Sequence, residues 1–411
     1  MRILLLPAYF YPEHAASDHL SKNRNEAFAA AGFHSIAYVP TPTRGVSDEV
    51  RNEYKRKKFE YMYDEHLEIH RFAMYKEGKN PIMRAMRYSL CWIKQFNRGI
   101  SAKNIDVIWL SSTPPIQGML GAVLHCLKKV PFIYNLQDIF PDSLVGTGLS
   151  KRGGILWKIG RVIEDFTYRH ADKIIVISED FKKNIMAKGV PEEKIEVIYN
   201  WVDEQAVVDV PREDNKLFDK YGLDRSKFYI TYCGNIGLTQ NMDMLMKVAK
   251  ELETEFPNIH FVLVGEGADK DRVARITEER HISNVTLLPF QPYEDISHVF
   301  SLGDVSLVIS KPGVGENSVP SKTWSIMSAS RPVLANFDEN ELKDIVDNHK
   351  CGIFTKAGDK DAFKTAILKL YQDPELSREC GCNGRKFVMD NLTKDVGTQK
   401  YVDVIKSVVN K

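Results

Sequence analysis

Lys311, Gly313, Gly315, Glu316, Asn317, Ser321 and Lys322 crowd one loop late in the chain, inside VISKPGVGENSVPSKTWSIMSASRPVLA (308–335). The apolar run before the loop reads as a buried strand, and Ser321–Ser330 reads as a short helix. A strand that feeds such a loop into a helix start presents backbone N–H groups and a positive dipole end. That combination suits a phosphate or diphosphate. Lys322, at the expected helix start, sits badly with the dipole unless an anion lies between them. Lys311 reads either as a second cation for that anion or as a solvated surface lysine.

Three more loops in the same half follow strand-like runs: Gly234-Asn235-Ile236-Gly237, Gly265-Glu266-Gly267 and Pro289-Phe290-Gln291. Each alone reads as a tight turn. Four such loops after successive strands should line one edge. A bound nucleotide needs amides and cations for its diphosphate, and a wall and an edge reader for its base. Phe290 and Gln291 are open to the last two roles. In the first half, Phe132–Tyr134 runs into a loop carrying Gln137, Asp138 and Asp142. Asp138 or Asp142 could orient a sugar hydroxyl, and Asp142 could equally serve a turn or helix cap. Near the N-terminus, Tyr11-Pro12-Glu13-His14 leads to Asp18. His14 is either a loop histidine without a role or a catalytic one.

The elements that must position these residues alternate throughout. Short apolar runs (Ile3–Leu6, Ile36–Val39, Val107–Leu110, Phe132–Tyr134, Ile174–Ile177, Glu196–Ile198) are separated by amphipathic segments such as Asp18–Ala31, Pro115–Leu127 and Ile155–His170. After a polar stretch, Asn200–Asp224, the rhythm resumes with Tyr229–Tyr232, His260–Val264, Val285–Leu288, Val305–Ile309 and Val333–Ala335, and with a helix at Met242–Phe256. Continuous apolar strands separated by helices predict parallel sheets covered on both faces. Two such runs predict two doubly wound α/β domains, with ligands at the carboxyl ends of their strands and in the cleft between them.

Composition narrows the classes. At 411 residues, two domains are expected, and 43% hydrophobic residues are ample for their cores. A net charge of +1 argues against a general nucleic-acid binder. The six cysteines have no zinc-like spacing and read as free thiols in a reducing cytoplasm. No stretch approaches the ~20 apolar residues needed to span a bilayer. Asn80–Arg98 reads as a basic amphipathic helix, with Ile82, Met83, Met86, Leu90, Ile93 and Phe96 interleaved with Arg84, Arg87, Lys94 and Arg98. Such a helix suits an anionic membrane surface, or an ordinary place on the first sheet.

The order and spacing of WLSSTPPIQGMLGAVL, NLQDIFPDSLVGTG, ADKIIVISEDFKKNI, GVPEEKIEVIYNWVD, YCGNIGLTQNMDMLM, VLVGEGADKDRV and VPSKTWSIMSASRPVLA together resemble a family-4 retaining glycosyltransferase. The resemblance covers nearly the whole chain. It implies the GT-B fold: two facing Rossmann-like, doubly wound parallel-sheet domains with an inter-domain cleft. Residues 1–203 would bind the acceptor and 204–393 the nucleotide sugar, with a helix at 394–411 packing back on the first domain. The likeness is strongest to bacterial N-acetylfucosamine and other amino-sugar transferases of O-antigen and capsule synthesis. It implies a UDP-linked N-acetylated amino sugar as co-substrate, a polyprenyl-diphosphate-linked saccharide as acceptor, and no metal or other cofactor. A cytoplasmic protein follows, peripheral on the inner membrane face.

On this reading Lys322 and Asp138 or Glu13 are catalytic. Gly234, Asn235, Gly237, Gln240, Gly265, Glu266, Phe290, Gln291, Lys311, Glu316, Asn317, Ser321, Lys322 and Ser325 contact the donor. His14, Asp18, Gln137 and Asp142 contact the acceptor. The chain departs from the family where Asn235 and Gln240 replace an Arg and a Lys, and where Asn317 and Ser325 replace two glutamates, with Glu316 beside the first. These departures move the diphosphate onto Lys322. Two alternatives stay open. One is a UDP-sugar 2-epimerase of the same fold, although its acids and histidines find no match. The other is a non-catalytic nucleotide-sugar-binding subunit of a polysaccharide assembly complex.

Overall fold

A computed structural model describes residues 1–13, 18–78, 80–143, 151, 153–315 and 319–409. The chain divides into two compact units, Met1–Tyr199 with Gly397–Lys411, and Asn200–Val396.

The first unit is built on an eight-stranded sheet. Its strands are β1 (Arg2–Leu5), β2 (His34–Pro40), β3 (Phe59–Met62), β4 (Leu67–Phe72), β5 (Val107–Ser111), β6 (Phe132–Leu136), β7 (Lys173–Val176) and β8 (Ile195–Val197), in the order β3-β4-β2-β1-β5-β6-β7-β8. Neighbours run parallel except the hairpin β3–β4. Ile3, Leu4, Val107, Ile108, Ile133 and Ile174 are fully buried, as expected of strands covered by helices on both faces. The chain runs outward from β1 through β2 to β4, then restarts on the other side at β5. The switch point therefore lies between β1 and β5, and ligand crevices open outside the carboxyl ends of such strands. Trp109 of β5 is fully buried, 5.4 Å from Phe28 of the helix Asp18–Ala30 and 4.9 Å from Tyr401 of the helix Lys394–Val409. Aromatic contacts of this kind fix the C-terminal helix to the first sheet.

The second unit carries a six-stranded, all-parallel sheet: β9 (Phe228–Cys233), β10 (Ile259–Val264), β11 (Val285–Leu288), β12 (Val305–Ile309), β13 (Val333–Phe337) and β14 (Gly352–Lys356), in the order β11-β10-β9-β12-β13-β14. Val264 pairs with both Cys233 and Leu288, so β9, β10 and β11 end level. The switch point here lies between β9 and β12.

The hairpin β3–β4 and the strand β14 are absent from the expectations drawn from sequence. In β4 buried Leu67, Ile69 and Arg71 alternate with half-buried Glu68, His70 and Phe72. A buried arginine hides the apolar face that a hydropathy pattern reads. The helix expected over Ser321–Ser330 is shorter, Lys322–Ser328. Among the described residues no helix is long and apolar enough to cross a membrane.

Candidate functional site

In the second unit, the loops after β9, β10 and β11 are laced together by backbone hydrogen bonds. Gly234 N donates to Val264 O, Gly265 N to Leu288 O and Ile236 N to Glu266 O. The lacing needs glycine: a Cβ at Gly265 (φ +152°) would lie 1.9 Å from Gly234 O. Gly234, Asn235, Gly237, Gly265 and Glu266 are thereby brought to one edge. Gln240 Oε1 accepts from Gly237 N at 3.0 Å and holds that turn closed.

Lys322 reaches this edge from the start of its helix. Its Nζ lies 3.7 Å from the centroid of the Tyr232 ring, a cation–π distance. A Cβ at Gly234 would stand 3.1 Å from the same Nζ, so glycine leaves the ammonium its space. No carboxylate pairs with Lys322 among the described residues. Burial lowers its pKa to about 8. The neighbouring Cys233 thiol is itself pushed up to about 12 by burial, so near neutral pH it supplies no counter-charge. A recess of about 200 Å³ opens beside Lys322, lined by Thr239, Gln240, Ser310, Val314, Gly315, Pro320 and Phe337. It sits at the carboxyl end of β12, next to the switch point. Its size fits a diphosphate with part of what the diphosphate carries, not a whole sugar nucleotide.

The loop itself differs from the expected cradle. Gly313 N and Gly315 N donate to the two oxygens of Asp338 at 2.9 and 2.7 Å, and Asn340 Nδ2 donates to Gly315 O at 2.7 Å. These glycine amides are spent on the chain's own carboxylate and are not open to an anion. Asp338 and Asn340 follow β13, and nothing in the local sequence singled them out. Ser321 is exposed, and its side chain makes no helix-capping bond. Ser325 is half-buried on the same short helix. Lys311 is half-buried, with its N–H bonded to Thr239 O. Glu316 and Asn317 lie outside the described residues.

Phe290 and Gln291 separate. Phe290 is 71% exposed and free to act as a wall. Gln291 is buried, with Oε1 accepting from Lys220 and Tyr221 and Nε2 donating to Pro289 O. Its amide is satisfied by its own unit, which argues against the edge-reading role. Glu266 is exposed, ion-paired to Lys270 at 2.6 Å and held below the usual carboxylate range by it.

In the first unit, Asp138 lies just past β6. Ser112 Oγ accepts from the amides of Gln137 and Asp138, which fixes the turn. Asp138 is exposed overall, yet the partial desolvation of its carboxylate at the strand end raises its pKa against hydrogen bonds from Ser143 and Ile139 N. Asp138 carries no cationic partner among the described residues. Gln137 Nε2 donates to Asn135 Oδ1. Asp142 is spent elsewhere. Burial alone would raise its pKa, but Lys188 at 2.7 Å, with Trp157 and Asn184, holds it down. Lys188 also pairs with the buried Glu164. Asp142 is thus part of an internal network, and its acceptor role does not fit that geometry.

Glu13 is likewise committed. Its Oε1 accepts from Thr43 N (2.6 Å), Thr43 Oγ1 (3.2 Å) and Arg44 N (2.9 Å), and its Oε2 from Phe10 N (3.0 Å). It is 6% exposed. A carboxylate so engaged pins the loop after β2 to the loop after β1, and a catalytic role does not fit it. His14 lies outside the described residues. Asp18 starts its helix, and its side chain lies outside them too. No group of three or more His, Cys, Asp or Glu side chains gathers to hold a metal among the described residues.

The helix Pro81–Ser101 is capped by Asn80, whose Oδ1 accepts from Ile82 N. It is oriented against its charge pattern: Arg87 and Gln95 are fully buried, while Ile82, Met86 and Ile93 are 71%, 57% and 52% exposed. The helix Ile155–His170 likewise exposes Ile155, Leu156, Ile159 and Val162. Both pack against the helix Gln117–Lys128.

Residues 25–206 match the family model described as Glycosyltransferase Family 4, and residues 213–387 the model described as Glycosyl transferases group 1. The chain is 24% identical over 335 residues to WbjE of Pseudomonas aeruginosa, named as a probable glycosyltransferase, covering 81% of each chain. It is 28% identical over 209 residues to WcaI of Escherichia coli, named as a colanic acid biosynthesis glycosyl transferase, covering 50% of this chain and 51% of that one. Among solved structures it resembles HepE of Anabaena in complex with UDP. The TM-score is 0.73 at 16% identity, covering 99% of this chain and 100% of that one.

Proposed function

We propose that this chain, a glycosyltransferase of the GT-B fold and of the family 4 type, moves a sugar from a UDP-linked donor to a lipid-linked saccharide during synthesis of a surface polysaccharide such as O-antigen or capsule. The observation that carries the reading is Lys322: a buried ammonium at the switch point of the second unit, over Tyr232, beside a recess, with no carboxylate to answer it. A buried cation without a partner is costly. A diphosphate in the recess would remove that cost.

The donor is a UDP-linked N-acetylated amino sugar held by the second unit, and the acceptor meets the first. When the bond from the anomeric carbon to the phosphate oxygen breaks, negative charge builds on the diphosphate, where Lys322 stabilises it. The acceptor hydroxyl attacks from the face the leaving group departs, and its proton passes to the departing phosphate oxygen. The anomeric configuration is retained, with no metal or other cofactor required. Asp138, without a cationic partner among the described residues and with a raised pKa, is placed to accept a hydrogen bond from the acceptor. The names of WbjE and WcaI and the UDP held by HepE support this assignment.

The exposed apolar rows of the helices 81–101 and 155–170 support attachment to the cytoplasmic face of a membrane that carries the acceptor, the first row flanked by Arg84, Lys94 and Arg98. Equal sedimentation with anionic and neutral vesicles would count against that attachment. The function is tested with a panel of UDP-sugars and a lipid-linked acceptor, following product stereochemistry. Retained-configuration transfer is expected. Conversion of a UDP-sugar with no acceptor present would favour the epimerase, and donor binding without transfer the non-catalytic subunit.

A further inference from the structure

Around Tyr9, just past the carboxyl end of β1, the first unit concentrates guanidinium groups. Arg87 is fully buried, its Cζ 4.8 Å from the Tyr9 ring centroid, and its Nε and Nη1 have no hydrogen-bond partner. Arg51 is 6% exposed and spends its guanidinium on two carbonyls, Pro42 O and Met74 O. Arg44 is exposed, its Cζ 5.5 Å from the same Tyr9 ring. Its guanidinium meets no carboxylate among the described residues. The nearby acids fall short of these cations. Glu13 is filled by backbone donors and the Thr43 hydroxyl, and Glu77 is shared by the Tyr9 hydroxyl (2.7 Å), Arg84 (3.1 Å) and Arg87 (3.7 Å). Burial lowers the pKa of Arg51, while the charges of Asp48 and Glu13 work against that shift and the like charge of Arg87 adds a smaller push in the same direction as burial.

Arginine does not shed its proton in a protein, so this surplus of charge persists at any working pH. The scaffold holds it in place. Glu13 fixes Arg44 through its backbone, and Arg51 ties the loop after β2 to the segment after β4. The cluster lies where doubly wound sheets receive ligands, beside the switch strand β1. A guanidinium fork recognises phosphate or carboxylate through paired N–H donors.

We propose that Arg44, backed by Arg87 and Arg51, binds the diphosphate of the acceptor lipid. The proposal rests on the lipid-linked acceptor reading above. The same fork could instead take the carboxylate of an acidic sugar, so the test must separate the two sources.

The experiment titrates geranyl diphosphate, geraniol and glucuronate into the full chain by calorimetry, with UDP saturating so that the donor site is filled. Wild type should bind geranyl diphosphate and neither of the others. Arg44→Ala should weaken that binding about tenfold or more, a loss typical of one charge-assisted contact, and Arg44→Lys should lose less because it keeps the charge without the fork. UDP affinity should stay within about twofold of wild type in both variants, because Arg44 belongs to the first unit. Geranyl diphosphate binding unchanged in Arg44→Ala overturns the proposal. So does glucuronate binding in its place, or no geranyl diphosphate binding by a wild type that still binds UDP. A wild type that binds geranyl diphosphate through Arg44 yet ignores UDP would break the donor reading alone.

Discussion

At the carboxyl ends of β9 and β12 a single lysine, Lys322, stands over Tyr232 with no carboxylate among the described residues. At the end of β1, Arg44, Arg51 and Arg87 gather around one tyrosine and two carbonyls, with Glu13 and Glu77 already engaged. Both regions carry more positive charge than the described carboxylates pair, Lys322 meeting none and Arg84 and Arg87 sharing Glu77, but they carry it differently. The lysine titrates near physiological pH, because burial has brought its pKa to about 8. A guanidinium is a permanent charge over the working range of a protein. The first site can therefore be switched off by mild alkali, and the second cannot. The same contrast sorts the carboxylates. Glu13 and Asp142 hold the scaffold through bonds to donors of their own unit, whereas Asp138 lies at a strand end without a cation beside it. What a polar group already holds decides whether it is left for a substrate.

The largest effect expected is at Lys322. Lys322→Ala should lower kcat/KM for transfer by about 10²–10³, the scale of removing one charge-stabilising group from a reacting site. A loss below threefold across a panel of UDP-sugars would place the diphosphate elsewhere. Glu13→Ala should act through the fold. Leaving the amides of Phe10, Thr43 and Arg44 without an acceptor should cost about 1–3 kcal/mol in denaturant unfolding. If transfer collapses while the unfolding midpoint stays put, Glu13 is catalytic after all and the sorting above is wrong. A smaller effect belongs to Asp338. Asp338→Ala frees Gly313 N and Gly315 N but unpins the loop, so UDP affinity should fall about threefold, the value of a modest lost brace. Tighter binding would mean that Asp338 competes with the diphosphate for those amides.

Much of the architecture was legible because parallel strands buried on both faces read as unbroken apolar runs. Val285–Leu288 and Val305–Ile309 appear in the structure with the bounds read from sequence. The strands that escaped lie at or near sheet edges. In β4, Glu68, His70 and Arg71 interrupt the apolar signal, and β14 begins at a glycine whose added Cβ would lie 1.9 Å from Val333 O. Lys322 stood out locally because a cation at a helix start conflicts with the dipole. The partners that define its surroundings did not. Asp338 meets Gly313 and Gly315 from more than twenty residues away, and Arg87 meets Tyr9 from seventy-eight positions away. Such pairings follow from which strands end side by side, a property of topology that local spacing does not carry. The helix Pro81–Ser101 makes the same point in reverse: Ile82, Met83, Met86 and Ile93 face outward and Arg87 inward, although Cys91, Trp92 and Phe96 still pack on the core, so part of its pattern runs opposite to the amphipathic habit.

The central claim, that Lys322 is the cation that meets the donor diphosphate, is tested most directly by calorimetric titration of UDP between pH 7 and 9. The diphosphate binds the protonated lysine, so bound UDP should raise the Lys322 pKa. In the free protein that proton is lost as pH climbs through about 8. Between pH 8 and pH 9 the protonated fraction falls several-fold, and across the whole interval affinity should weaken about tenfold. Proton uptake on binding should appear at pH 8.5. Lys322→Gln should bind more weakly at pH 7 and show a flat profile. A wild-type affinity that stays constant from pH 7 to 9, or a Lys322→Gln variant that keeps the wild-type slope, would contradict the assignment.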